Sequence, residues 1–140
     1  MSKLKLGGIL GLVLRKNPYR KRGNKYGRKK IEYEGKMFDS KLELSIYKHY
    51  QLLQSQNKIK DLETQHTVVL QDGPRDVRIT MRVDFTWINV ENNTREFGEA
   101  KGQPTEAWKL KLKLWKFKHP GRLEIWKGSH LKYFLDEVVE

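Results

Sequence analysis

The chain has 140 residues, 29 Lys/Arg against 17 Asp/Glu, and no cysteine. That length holds one modest core rather than two, and the missing cysteines exclude both a disulfide framework and a thiolate zinc site. The four histidines (His49, His66, His119, His130) lack the close spacing of a metal-binding pair, so any metal must sit on oxygen ligands, which favours Mg²⁺ or Mn²⁺.

Residues 1–30 hold eleven of the basic side chains and no acid, whereas the other 110 residues carry 18 Lys/Arg and 17 Asp/Glu. The excess charge is therefore a basic N-terminal arm in front of a near-neutral domain at 31–140. Such an arm suits a polyanion, nucleic acid before membrane, because phosphate contacts release counterions whatever the sequence. A solubilising tail is the plainer alternative. Arg20, Lys21, Arg22, Arg28, Lys29 and Lys30 are the arm's best candidates for phosphate contacts. Leu6 to Leu14 (LGGILGLVL) imitates a signal peptide, but its nine residues fall short of the roughly 20 that span a bilayer. Arg15-Lys16-Asn17-Pro18 then follows where a small-residue cleavage site belongs. A packing or partner-binding segment fits better, and the expected location is the cytoplasm, with no membrane partner.

After the arm, KKIEYEGKMFDS reads as two short strands turning at Glu34-Gly35, with Ile31, Tyr33, Met37 and Phe38 as apolar material. SKLELSIYKHYQLLQSQ carries Leu42, Ile46, Tyr50 and Leu53 at helical intervals, with Tyr47 beside them, and ends near Asn57. LETQHTVVLQDG predicts a strand that closes at Asp72-Gly73-Pro74. Val77, Ile79, Met81, Val83, Phe85 and Trp87 then alternate with polar residues, the period of a half-buried strand, which puts Asp84 on the polar face beside Arg82 and Thr86. Glu91-Asn92-Asn93-Thr94 is a turn, and REFGEAKG returns as the partner strand. Alternation sends Glu99 and Lys101 to one face and leaves Gly98 and Ala100 for close packing on the other.

PTEAWKLKLKLWKFKHPG predicts a helix with two apolar stripes: Ala107, Leu110, Leu114 and Phe117 on one side, Trp108, Leu112 and Trp115 on the opposite side. Pro104 and Thr105 suit its start and His119-Pro120-Gly121 its stop, and the second stripe needs a partner. RLEIWKG predicts a further strand, and HLKYFLDEVV either a terminal strand or a helix. Phe85 and Trp87 read as core. Trp108, Trp115 and Trp126 read as core or interface, with base stacking the alternative. The order implies an α/β fold: a small mixed central sheet flanked by helices.

Acid-x-Lys spacing occurs three times, at Glu34, Asp39 and Glu99. Only Glu99-Ala100-Lys101 lies on a predicted interior strand, paired with a strand that bears an acid of its own. Two carboxylates on neighbouring strands can hold divalent cations that orient water and stabilise charge on a phosphoryl group. A lysine on the same face can position the attacking water or screen the transition state. The plainer alternative is a surface salt bridge from Asp84 or Glu99 to Lys101 or Arg82, worth roughly 0–1 kcal/mol.

Phe38-Asp39-Ser40-Lys41-Leu42-Glu43, Val83-Asp84-Phe85 and Phe97-Gly98-Glu99-Ala100-Lys101-Gly102 together resemble the PD-(D/E)XK nuclease pattern, and within it the phage endonuclease I branch of junction-resolving enzymes. Small phage proteins of the same superfamily without settled functions are similar too. The resemblance runs from about residue 25 to residue 127 and includes the His119-Pro120 step; it departs at Val83, where the family often has proline. It implies a restriction-endonuclease-like fold, Asp84 and Glu99 as the main metal ligands, Lys101 as the catalytic lysine and Glu43 as an additional acid. It also implies that Glu43 can come from a swapped second subunit of a homodimer. Ser40-Lys41-Leu42-Glu43 is equally a capping box, so both roles stay open.

The expected function is metal-dependent hydrolysis of DNA phosphodiester bonds, nicking or resolving branched DNA such as Holliday junctions. With no zinc finger and no helix-turn-helix, backbone shape is the expected basis of substrate choice. Lys109, Lys113 and Lys116 are further candidates for DNA contact. A site-specific nicking enzyme, a transposon-end nuclease of the TnsA type, which shares the Phe-x-Ser-x-x-Glu start and a glutamine near Gln65, and a basic nucleic-acid-binding module without catalysis are the alternatives.

Overall fold

Alternating apolar and polar side chains build the centre of the structure, a computed structural model that describes residues 30–140. Of the arm residues, Arg20, Lys21, Arg22, Arg28 and Lys29 lie outside the described residues, as does the Leu6–Leu14 segment; Lys30 begins the described chain and is exposed. A small antiparallel hairpin comes first, β1 (Ile31–Tyr33) and β2 (Lys36–Phe38), turning at Glu34-Gly35, where both residues have positive φ. Helix α1 (Lys41–Ser55) follows. Then come β3 (Ile59–Gln71), β4 (Ile79–Asn89) and β5 (Thr94–Ala100), helix α2 (Glu106–Lys118), and finally β6 (Leu123–Gly128) and β7 (Tyr133–Val139).

The last five strands form one sheet in the order β3-β4-β5-β6-β7. Its pairs are antiparallel except β5 with β6, which run parallel because α2 carries the chain back between them. The fold is thus mixed α/β, a central sheet flanked by two helices, as the order of periodicities implied. The terminal segment, open between strand and helix, is the strand β7.

Along β6 the side chains alternate between the helices. Leu123 and Ile125 pack in a cluster with Leu112 and Trp115 of α2, whereas Trp126 packs with Ile46, Tyr47 and Tyr50 of α1. The helices therefore cover opposite faces. Gly98 makes the α1 layer tight: a Cβ there would stand 2.7 Å from the Tyr50 Oη and 3.0 Å from the Trp87 ring. On α2 the Trp108, Leu112 and Trp115 stripe is the one that finds its partner in the sheet, while Ala107, Leu110 and Phe117 of the other stripe face water. Two tryptophans bury more apolar surface than the alternative stripe offers, and that decides which side turns inward.

One strand breaks the face rule. Phe85 and Trp87 of β4 lie in the α1 cluster, but Met81 and Val83, of the same parity, lie in the α2 cluster. The ladder from β4 to β5 covers only Phe85–Asn89 against Thr94–Gly98. The β3–β4 hairpin therefore parts from β5 at residue 84 and swings toward α2. Among the described residues, no helix is long and apolar enough to cross a membrane.

Candidate active site

Where β4 and β5 part, carboxylates take over from the ladder. The Asp84 amide donates to Glu99 Oε1 (3.2 Å), and the Ala100 amide donates to Asp84 Oδ2 (2.9 Å). Each acid satisfies the backbone of the opposite strand, a duty that also holds both carboxylates in place. The polar face predicted for β4 is less open than its pattern suggested: Asp84 is half-buried, and Thr86 is fully buried, donating to the Glu96 carbonyl and accepting from Arg95.

Glu43 reaches the same place from the first turn of α1 and is only 5% exposed. Its amide donates to Ser40 Oγ (3.1 Å), so Ser40 caps the helix as the sequence suggested. Its carboxylate accepts from the Asp39 amide (3.3 Å), one residue short of the Ser40 amide that a standard capping box would reach. The same carboxyl lies against Asp84. Capping and the approach to Asp84 thus coexist in one side chain, and both are made within a single chain.

Three acids in this dry corner repel one another, and protons relieve the repulsion. Burial, then the adjacent Asp84, pushes the Glu43 carboxyl up to about 8. Burial, then the adjacent Glu99, pushes Asp84 up to about 8 as well. Glu99 is raised by burial but pulled back by hydrogen bonds from Asp84 and Trp108 and by the charge of Lys101. Glu43 stands next to Asp84, and Asp84 next to Glu99, so a proton taken up by one acid can be shared with its neighbour. The row ends at the carboxylate best placed to keep its negative charge.

Trp108 holds that end, a role beyond the core, interface or base-stacking readings its pattern suggested. Its indole N–H donates to Glu99 Oε2 (3.0 Å), and its ring faces the Lys101 Nζ at 5.2 Å from the centroid. Thr105 caps α2 by accepting from the Trp108 amide (3.1 Å), which fixes the first turn against the end of β5. The available signal was the short Gly102-Gln103-Pro104 link, which carries the chain from Lys101 into a helix whose first turn bears a tryptophan.

The donors suit a hard divalent cation in kind, because they are carboxylate oxygens that a cation would relieve of mutual repulsion. They meet pairwise, Glu43 with Asp84 and Asp84 with Glu99. Among the described residues, no three His, Asp or Glu side chains are already arranged around one ion position. Cation entry therefore requires the protons to leave and the side chains to turn toward a common centre.

The lysines proposed for DNA contact lie on the outer side of α2. Lys113 is exposed, Lys109 approaches Glu106 (3.7 Å), and Lys116 pairs with Glu137 of β7 (2.9 Å), both pairs more than a third exposed. A cleft of about 690 Å³ opens elsewhere, bordered by Tyr50, Trp87, Asn89, Glu96, Arg122 and Glu124, and none of Glu43, Asp84, Glu99 or Lys101 lines it.

The chain belongs to the family described as protein of unknown function (DUF1064), whose profile matches residues 23–134 and so spans all four candidate residues. No curated protein and no solved structure matches it.

Proposed function

We propose that the protein is a metal-dependent endonuclease that hydrolyses DNA phosphodiester bonds, with Asp84, Glu99 and Glu43 as metal-binding acids and Lys101 as the catalytic lysine. One observation carries the reading: three neighbouring carboxyls, with a lysine alongside, gather where the two central strands separate. A fold gains nothing in stability from buried acids that face each other, so the arrangement calls for a positive ligand. Mg²⁺ or Mn²⁺ held there would neutralise phosphoryl charge and acidify water. Glu99 and Asp84 would hold the ion, Glu43 would complete the oxygen donors, and Lys101, kept close to Glu99 by the Trp108 ring, would orient the attacking water or screen the phosphoryl oxygens.

The resemblance to junction-resolving nucleases makes branched DNA the favoured substrate, with nicked duplex second. Because Glu43 meets Asp84 within one chain, the cluster is complete without a swapped subunit. A homodimer would serve instead to set two sites on paired strands of a junction.

Binding without hydrolysis is the second reading, favoured by the absence, among the described residues, of three donors already converged on one ion position. Supercoiled plasmid and a four-way junction, each incubated with Mg²⁺, Mn²⁺ or EDTA beside the Glu99→Gln protein, separate the two. Cutting that needs the metal and disappears in Glu99→Gln supports hydrolysis. Metal-dependent cutting that survives the substitution removes the site, and binding that no metal turns into cutting favours the second reading.

A further inference from the structure

A helix that has buried one stripe against a sheet normally keeps polar residues on its outer side. Helix α2 keeps two large apolar ones there. Leu110 is 68% exposed and Phe117 77%, and Lys113 lies between them at three- and four-residue spacings, so the three form one line along the helix. Lys109 and Lys116 flank the line, and the Lys118 Nζ lies 6.0 Å from the Phe117 ring centroid. In all, α2 carries five lysines against the single acid Glu106. The ion pairs of Lys109 and Lys116 are exposed enough to be exchanged for phosphate at little cost.

We infer that this face docks an unpaired stretch of nucleic acid, with Phe117 as the platform for a base and Lys109, Lys113 and Lys116 on the flanking phosphates. Charge complementarity selects the occupant. A second copy of the same face would bring Lys109, Lys113 and Lys116 against the same three, an unfavourable like-charge juxtaposition. A bilayer surface would find only Leu110 and Phe117 to bury, since the tryptophan stripe is already spent on the sheet. Stacking on an exposed aromatic ring beside basic groups is how single strands are held without reading sequence.

The inference rests on the proposed function for its choice of nucleic acid and adds which part of the substrate is gripped. The same helix that offers Phe117 touches Glu99 through Trp108 at its first turn. Nine residues separate the two aromatics, about 14 Å along the axis, or about four stacked nucleotides. Trp108 and Phe117 lie on opposite sides of α2, so a strand held on the Phe117 line reaches the carboxyl cluster by passing around the first turn of the helix. Branched or locally opened DNA supplies such a strand, whereas intact duplex does not.

The test uses the full chain carrying Glu99→Gln, in EDTA, so that nothing is cut. Fluorescence anisotropy is measured with a labelled 20-nucleotide single strand and with the duplex of the same sequence, with and without Phe117→Ala. The substitution is expected to weaken single-strand binding about 5- to 150-fold, the scale of one lost base stack, and to leave duplex binding within about twofold. Single-strand affinity unchanged by Phe117→Ala, an equal loss on both DNAs, or no binding of either overturns the inference. So does sedimentation in which Phe117→Ala dissolves a dimer, which would assign the face to a second copy. Loss of binding to anionic phospholipid vesicles with DNA affinity intact would assign it to a membrane surface and overturn the inference as well. Failure of metal-dependent plasmid cutting sinks the hydrolytic reading alone and leaves the Phe117 comparison standing.

Discussion

Two groups of buried and half-buried carboxylates sit in this small domain, and their surroundings differ in kind. On the α1 side, Glu96 is 7% exposed and takes N–H donors from Trp87 and Asn89 (both 3.1 Å). Glu124 accepts from the Tyr50 hydroxyl (2.8 Å) and pairs with Arg122 (3.1 Å), and the Trp126 indole donates to the same Tyr50 oxygen. Every carboxylate there is met by donors or a cation. Glu43, Asp84 and Glu99 accept N–H donors too, but they also stand against one another, carboxyl beside carboxyl. The first group explains itself as a satisfied polar network that specifies how α1 seats on the sheet. In the second, burial and neighbouring acids raise the carboxyls' affinity for protons, and that difference, more than burial itself, is what the proposed site rests on.

The largest expected break in this comparison is Glu99→Gln. It keeps the side chain's size and one of the two N–H contacts but removes the charge, and metal-dependent cutting should fall about 100-fold or more, the scale on which losing one charge-handling group acts. Glu96→Gln, on the other side of the comparison, should leave cutting unchanged. Equal losses for both would erase the distinction.

Stability against pH sharpens the contrast next. Glu43 and Asp84 have folded-state values pushed up to about 8 from ordinary values of 4.5 and 3.8, so between those limits the native state binds more protons than the unfolded chain. Stability must then fall as pH rises from about 4 to about 8. In EDTA, Tm should drop by on the order of 10 °C between pH 5 and pH 8, with Glu43→Gln flattening the slope. A Tm that climbs over that range would contradict the proton sharing.

Smaller effects come from single partners. Glu96→Ala strands the Trp87 and Asn89 donors and should cost about 1–3 kcal/mol in urea unfolding without altering metal affinity. Trp108→Phe keeps the ring over Lys101 but removes the hydrogen bond to Glu99. It should weaken Mn²⁺ binding about tenfold, as lost partners behind metal ligands do, with little change in Tm. Unaltered Mn²⁺ affinity would reduce Trp108 to packing.

How much of this was legible follows from what is local. The β4–β5 hairpin, α1 and the Ser40 cap are written in spacings of two to four residues, so Asp84 and Glu99 could be picked out before any coordinates, whereas spacing showed Glu43 only as a cap and the resemblance alone put it with the other acids. The close packing at Gly98 was also readable, because alternation told which face it served. The parting of β4 from β5 at residue 84 was not, since it depends on β3 and β4 reaching over to α2. Nor was the Tyr50–Glu124 network, whose partners stand 74 residues apart. Trp108 read as a generic apolar residue because its duty depends on where the first turn of α2 lands. The two stripes of α2 looked alike in period, and only the volume of the facing sheet chose between them.

The most direct test of the central claim is calorimetric titration of Mn²⁺ into the protein and into Asp84→Asn at pH 7, repeated in two buffers of different ionisation enthalpy. The account predicts binding to the native chain with protons released to the buffer, and no binding to Asp84→Asn. Mn²⁺ that binds both proteins alike, or that binds the native chain without displacing a proton, would contradict it.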